Sequence, residues 1–398
     1  MPLRQTARLT LLTLVVLSAG PDVSAQTAAD LFDASTLHEV RLFMNSRDLQ
    51  QLRERFDERT YYTVDLLWRG SRIRNAGVRS RGSGSANPIK PGLRIDFDRY
   101  TTGQRLVGLR TLVLDNLWQD PSMLREHLAM AMFARMGQPA PRQSFCRLFI
   151  NDQYQGVYAL TEEPNEEFAA RAIGETGGYV FEYHWVRPFY AEDPGENLAS
   201  YVPLFEPRTH ELDAESTLYR PLRELFREAN AEDDAVWRDR VEQYIDLTQF
   251  ITHAAIENFV AEDDGLLGYA GMNNFYVYRS AGSTRHRLFP WDKDNAFLTM
   301  DKPVLDRDGE NVLFRRALTY PDLRDLYLRV LEQCARSAAE EGWLAAEIER
   351  HLSVIGAAAH EDPRKPTTNE EFDLQIDFLR QFARSRPAFV LREVAALR

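Results

Sequence analysis

Apolar and polar residues alternate along residues 39–44, which predicts a half-buried strand. Residues 61–68, 73–81 and 93–97 carry the same signal and read as further strands. Between them, residues 48–56 read as a short helix capped by Ser46. Residues 116–119 make a turn, and Pro121 stands just inside the start of a helix over 122–136. That helix repeats Met123, Leu124, Leu128, Met132 and Phe133 at helical spacing and stops at Gly137. Residues 144–151 and 156–161 predict two strands around a turn.

After Glu162 the pattern changes. Amphipathic helical periods run through 218–229, 234–244 and 247–261. A polar loop leads into a hairpin, 274–279 against 286–290, and the chain ends in helices near 322–338, 341–358 and 369–396. The segment from Asp362 to Pro366 separates the last two. A strand-rich first lobe with one main helix therefore precedes a helix-rich second lobe, an α+β layout with a cleft near residue 162.

Composition narrows the function. The chain has 398 residues, a net charge of −12 and 44% hydrophobic residues, enough for a large core. An excess of acidic over basic residues argues against a general binder of nucleic-acid backbones. Residues 1–25 combine Arg4 and Arg8, an apolar run too short to span a bilayer, and Val23-Ser24-Ala25 before a cut. They predict a secretory signal peptide, hence a secreted or periplasmic product without stable membrane insertion. Cys146 and Cys334 are then either a disulfide or two buried thiols. Eight histidines include no zinc-type spacing.

Three constellations carry candidate chemistry. Arg79 and Arg81 leave a strand on one face, the Gly82-Ser83-Gly84-Ser85 turn follows, and Lys90 opens the next strand. Fixed cations around free N–H groups suit an anion such as a triphosphate, although no Walker sequence is present. Around the hairpin stand Asp263-Asp264-Gly265, Asn273-Asn274 and Asp292-Lys293-Asp294. Hairpin closure brings Asn274 and Asp292 to one end as hard oxygen ligands for Mg²⁺, while Asp264 can orient or deprotonate a hydroxyl. Turn chemistry alone explains Asp-Gly and Asn-Asn but not the gathering of acids and an amide at one hairpin end. Glu126 on the main helix pairs either with Lys90 or with solvent-facing Arg125.

The order Gly77-x-Arg79-x-Arg81-Gly82-x-x-Ser85 with Lys90, Asn151-x-x-Tyr154-x-Gly156-x-Tyr158-x-x-x-Glu162, Asn274-Phe275-Tyr276-x-Tyr278 and Pro290-Trp291-Asp292-x-Asp294 resembles the CotH family, the spore coat protein H-like atypical kinases. The similarity spans roughly residues 30–380. It implies a bilobal protein-kinase-like fold, with a first lobe over 26–162 and a second over 163–398, that uses ATP with Mg²⁺ or Mn²⁺ to phosphorylate serine or threonine on an extracytoplasmic protein. By this resemblance Asp264 or its neighbour Asp263 is the base. Lys90 touches phosphate with Glu126 as its partner, and Asn274 and Asp292 hold metal with support from Asp294. Arg79, Arg81, Ser83, Ser85 and Glu162 complete the nucleotide site. The competing readings are a secreted surface or adhesion protein that keeps this fold without turnover, and a glycoside hydrolase with paired carboxylates.

Overall fold

The structure, a computed structural model, describes residues 26–340 and 342–398. The expected signal peptide, residues 1–25, lies outside the described residues. The first lobe contains α1 (Ala28–Leu31), β1 (Leu37–Met44), α2 (Ser46–Glu54), β2 (Tyr62–Trp68), β3 (Ser71–Arg81), β4 (Gly92–Asp96), β5 (Thr111–Asp115), α3 (Arg125–Arg135), β6 (Gln143–Ile150) and β7 (Gln153–Thr161). The second begins with α4 (Glu166–Ala172), β8 (Tyr179–Tyr183), β9 (Phe205–Pro207), α5 (Glu215–Asn230), α6 (Trp237–Val241) and α7 (Leu247–Phe259). It ends with β10 (Phe275–Arg279), β11 (His286–Pro290), α8 (Val312–Ala317), α9 (Pro321–Ala339), α10 (Trp343–His360) and α11 (Asn369–Leu397).

The seven strands of the first lobe close a barrel in the order β1-β2-β3-β4-β5-β7-β6. Only β1 and β6 pair in parallel. The alternation read in the sequence is the inward and outward alternation of barrel strands. Val40, Leu42, Val64, Leu66, Val78, Ile95 and Leu148 fill the interior. β5 was not foreseen, because it is buried on both faces and shows no alternation. Its Val113 leaves the barrel core to pack with Phe168, Val180, Tyr276 and Trp291 of the second lobe. β8 and β9 were also not foreseen; they extend the β10–β11 hairpin into a four-stranded sheet, β11-β10-β8-β9.

Local signals explain the other differences. Asn45 caps α2 by accepting the Arg47 N–H at 2.8 Å, so Ser46 falls inside the helix. The helical period over 234–244 shortens to α6. Both cysteines are free and buried, Cys146 in the barrel interior and Cys334 on α9, so they do not form the disulfide considered above.

The lobes share one hydrophobic core. Leu128, Met132 and Phe133 of α3, with Phe145 and Val157 of the barrel wall, join a cluster that continues through α5, α7, α9 and α11. A polar staple adds to it. Lys90, 0% exposed, places its ammonium 2.8 Å from Asp362, which lies between α10 and α11. The same carboxylate accepts the Val157 N–H at 2.9 Å and the Arg364 N–H at 2.8 Å. The segment read as a simple break between helices is therefore a seat for the barrel.

Candidate active site

The candidate site starts at the end of α7. Glu257 on that helix accepts from His253 at 3.0 Å, Lys293 at 2.6 Å and the Leu266 N–H at 2.7 Å. Against the cost of burial, Lys293 and His253 hold Glu257 down at about 2. Gly265 is required beside it, since a Cβ there would overlap the Glu257 carboxylate. This anchor fixes the loop that presents Asp264. Asn273 and Asn274 donate to the Asp264 carboxylate at 3.1 and 3.2 Å. Burial raises Asp264 above the usual carboxylate range.

The adjacent Asp263 is turned elsewhere. It binds Arg307 at 2.9 Å and Lys302 at 3.2 Å, and these cations, against burial, lower its pKa. The two candidates for a base are thus separated by geometry: Asp263 is neutralised by cations, while Asp264 faces the asparagines.

The hairpin closes as its sequence suggested. Phe275 pairs with Pro290, so Asn274 and Trp291 meet, and the Trp291 N–H reaches the Asn274 carbonyl at 3.2 Å. Lys293 donates to the same carbonyl at 2.8 Å. Asn274 and Asp292 both adopt left-handed backbone, with φ of 57° and 50°. Such conformations cost energy in non-glycine residues and cluster at functional sites.

Asp292 sits in a crowd of carboxylates. It lines a narrow interstice, too tight for a water molecule, with Arg81, Val113, Asp115, Glu126, Thr161 and Trp291. Burial raises Asp292 to about 6, with Arg81 opposing and Asp115 and Asp264 adding to the rise. Burial, then Asp292, Asp115 and Glu126, push Asp294 well above its ordinary range. Glu126 is raised in the same way by burial, Asp115 and Asp292. Glu262, between α7 and Asp264, is raised by burial to about 7 and accepts the Asp264 N–H at 2.8 Å. Arg81 alone among the barrel cations enters this group. Its guanidinium binds Asp115 at 2.8 Å and lies 5.3 Å over the Trp291 ring.

Other expected residues lie elsewhere. Lys90 does not reach this group, because it is sealed against Asp362, and burial lowers its pKa despite that partner. Glu126 accordingly is not its partner. Glu162 is held by Arg142 at 2.7 Å and Arg171 at 2.6 Å, which commits its carboxylate to the joint between the lobes. Ser83 is exposed at the tip of the turn that leaves Arg81, and the Ser85 carbonyl is tied to Asn116 and Asn87 at 2.9 Å. Arg79 lies over the Tyr61 ring at 5.5 Å and opens on a separate recess.

That recess, about 330 Å³, runs between the lobes. Arg79, Arg94 and Thr111 of the barrel face Glu163, Glu206 and Arg208 across it. A neighbouring recess of about 430 Å³ shares Arg110, Asn165, Arg208 and Glu211 with it. Both volumes fall within the range of small-molecule sites. Glu182, His184 and Glu206 also gather here, but Arg208 already serves both carboxylates, binding Glu182 at 2.8 Å and Glu206 at 3.0 Å.

Asp115 and Glu262 are the site residues that sequence reasoning missed. Asp115 ends an apolar run, Thr111-Leu112-Val113-Leu114, and Glu262 begins the run of three acids that contains Asp264. Those are the signals that point to them.

Comparison with known proteins gives the chain's relatives. "Inner spore coat protein H" of Bacillus subtilis (strain 168) is 22% identical over 389 residues, covering 91% of this chain and 99% of that protein. An "Inner spore coat protein H-like protein" of the same organism is 45% identical over a short stretch of 53 residues, 13% of this chain and 17% of that protein. Among solved structures, the Helicobacter pylori proinflammatory kinase CtkA covers 78% of this chain and 96% of its own at 10% identity. Its TM-score of 0.32 is too low to compare sites. The family described as "CotH kinase protein" matches residues 78–390, most of the chain, including the barrel cation, the hairpin and both acidic loops. The chain belongs to the CotH kinase protein family.

Proposed function

We propose that this chain is an exported atypical kinase that transfers the terminal phosphoryl group of ATP to serine or threonine hydroxyls of an extracytoplasmic protein, with Mg²⁺ or Mn²⁺. One observation carries the reading. A base candidate, an asparagine, paired aspartates and a guanidinium converge from four separate segments on one end of the β10–β11 hairpin. Phosphoryl transfer asks for this combination: positioning of a hydroxyl and neutralisation of developing charge.

In this reading the recess between the lobes takes the nucleotide, and its arginines and carboxylates meet a polar, anionic ligand. Asn274, Asp292 and Asp294 offer the oxygen ligands a hard cation prefers. When bound, a divalent ion supplies charge neutralisation on the phosphates. Arg81 adds a fixed positive charge beside them. Asp264, held by two asparagine amides, receives the substrate hydroxyl. The hydroxyl oxygen forms a bond to the γ-phosphorus, the bond from that phosphorus to the bridging oxygen breaks, and the hydroxyl proton passes to Asp264. ADP leaves with the bridging oxygen. Export rests on the signal-type sequence of residues 1–25. No helix among the described residues is long and apolar enough to cross a membrane.

The test is incubation of the mature chain with labelled ATP and Mg²⁺ or Mn²⁺, beside Asp292→Ala. Label enters the wild type or an added protein, and at least a hundredfold less enters with the variant. A wild type that neither incorporates label nor binds nucleotide overturns the assignment in favour of a non-catalytic surface protein.

A further inference from the structure

A further recess, of about 390 Å³, opens on the second lobe and takes no part in the chemistry above. It is lined by Asp263 and by side chains of residues 298–307, the segment that follows Asp294 in the chain. The Asp263 N–H donates to the Asn295 carbonyl at 3.3 Å. The recess therefore adjoins both the residue before Asp264 and the loop that carries Asp292 and Asp294. Its charges are settled among themselves. Asp263 binds Arg307 at 2.9 Å and Lys302 at 3.2 Å, Asp306 lies 3.5 Å from Lys302, and Asp301 accepts the Thr299 hydroxyl at 2.7 Å. What remains open is apolar: Leu298 is 40% exposed, and Pro303 is exposed in the same recess.

The wall is held from behind. The Lys302 ammonium reaches the Glu262 carbonyl at 2.6 Å, Asn258 donates to the Pro303 carbonyl at 2.9 Å and Tyr327 to the Val304 carbonyl at 2.6 Å. Arg386 of α11 is fully buried and has no carboxylate partner among the described residues. It donates instead to the carbonyls of Asn258 at 2.7 Å, Phe259 at 3.1 Å and Lys302 at 2.5 Å. A buried guanidinium satisfied by carbonyls thus ties the recess to the end of α7, the helix that leads to Asp264.

We propose that this recess seats an apolar side chain of the protein substrate beside the hydroxyl that Asp264 receives, so that the chain selects serines or threonines flanked by a residue such as leucine or methionine. The inference rests on the kinase reading for the acceptor, because the recess adjoins the base. A charged side chain gains little where the ions are already paired, whereas an apolar one covers Leu298 and Pro303 and is removed from water. The anchored wall lowers the cost of ordering on binding.

The test uses the full mature chain and short fluorescent peptides, each with one serine among alanines and one flanking alanine replaced by leucine, lysine or glutamate. Binding is read by anisotropy without nucleotide, and label transfer from ATP with Mg²⁺ is read beside it. At the favoured position the leucine peptide binds at least tenfold more tightly than the all-alanine peptide. Leu298→Asp brings that ratio close to one and shifts selection toward the lysine peptide, and it melts near the wild type because the side chain is already open to water. A purely structural Leu298 weakens every peptide alike and keeps the ratio, which overturns the proposal, as does a wild type that binds the leucine and alanine peptides equally. Leucine-selective binding that Leu298→Asp removes, without label transfer, upholds the recess and overturns the kinase reading. Label transfer without leucine preference does the reverse.

Discussion

Burial and crowding raise Asp292 to about 6 and Glu262 to about 7, well above the pKa of about 4 that each has in an unfolded chain. The sign of the consequence follows from proton uptake. Between about pH 4 and pH 7 the folded state binds more protons than the unfolded one, so this contribution to stability is present at low pH and is lost as pH rises through 6 to 7. The metal-free protein is expected to melt several degrees lower at pH 8 than at pH 5.5. Asp292→Asn or saturating Mg²⁺ flattens that slope. A calorimetric series in chelator, with and without Mg²⁺, checks it. At this scale the sequence was informative where partners are near in the chain. Asn274 and Asp292 meet because a short hairpin joins them, and their meeting was legible. Lys90 and Glu126 each had a plausible partner by analogy, but burial decided otherwise. Lys90 is enclosed with an acid 272 residues away, and no local pattern reports such a distance.

Among the elements, coverage alone did not decide what was readable: β10 is buried along its length yet was marked out by its hairpin turn, whereas β5 was missed. β5 is the informative case: both faces are packed, so its apolar run carried no period, and the aspartate at its end went unnoticed. β7 shows a second device. Its pairing with β6 shifts register between Leu148 and Phe149, and Gly156 takes φ of 111° at that irregularity. A Cβ on Gly156 would overlap the Asp362 carboxylate. Gly156→Ala is therefore expected to cost more than about 2 kcal/mol, through a strained backbone and a displaced ion pair. Denaturant unfolding measures it. A cost below about 0.5 kcal/mol would show that the loop bearing Asp362 yields freely.

Across the whole molecule, the shared core and the Lys90–Asp362 pair make the two lobes one body. Removing one partner of a buried pair costs about 3–5 kcal/mol, because the other charge stays buried alone. Lys90→Met is expected to shift a single unfolding transition by that amount, with barrel and helical signals moving together. Lys90→Met with Asp362→Asn is expected to recover a large part of it, since the amide still accepts the Val157 N–H and no bare charge remains. Separate transitions for the two lobes in urea, followed by tryptophan fluorescence and circular dichroism, would contradict this. The bilobal α+β layout was visible in the sequence as a change of period after Glu162. The joint was not, because it is built from residues at opposite ends of the chain.

That joint also sets an order of events during folding. The barrel strands end at Thr161, but the lysine at the barrel's base finds its counter-charge only in residue 362, near the far end of the chain. Until the connection between the final two helices has docked, the barrel holds an unmatched ammonium against an apolar interior, and its final state is out of reach. A chain built this way completes its first half last.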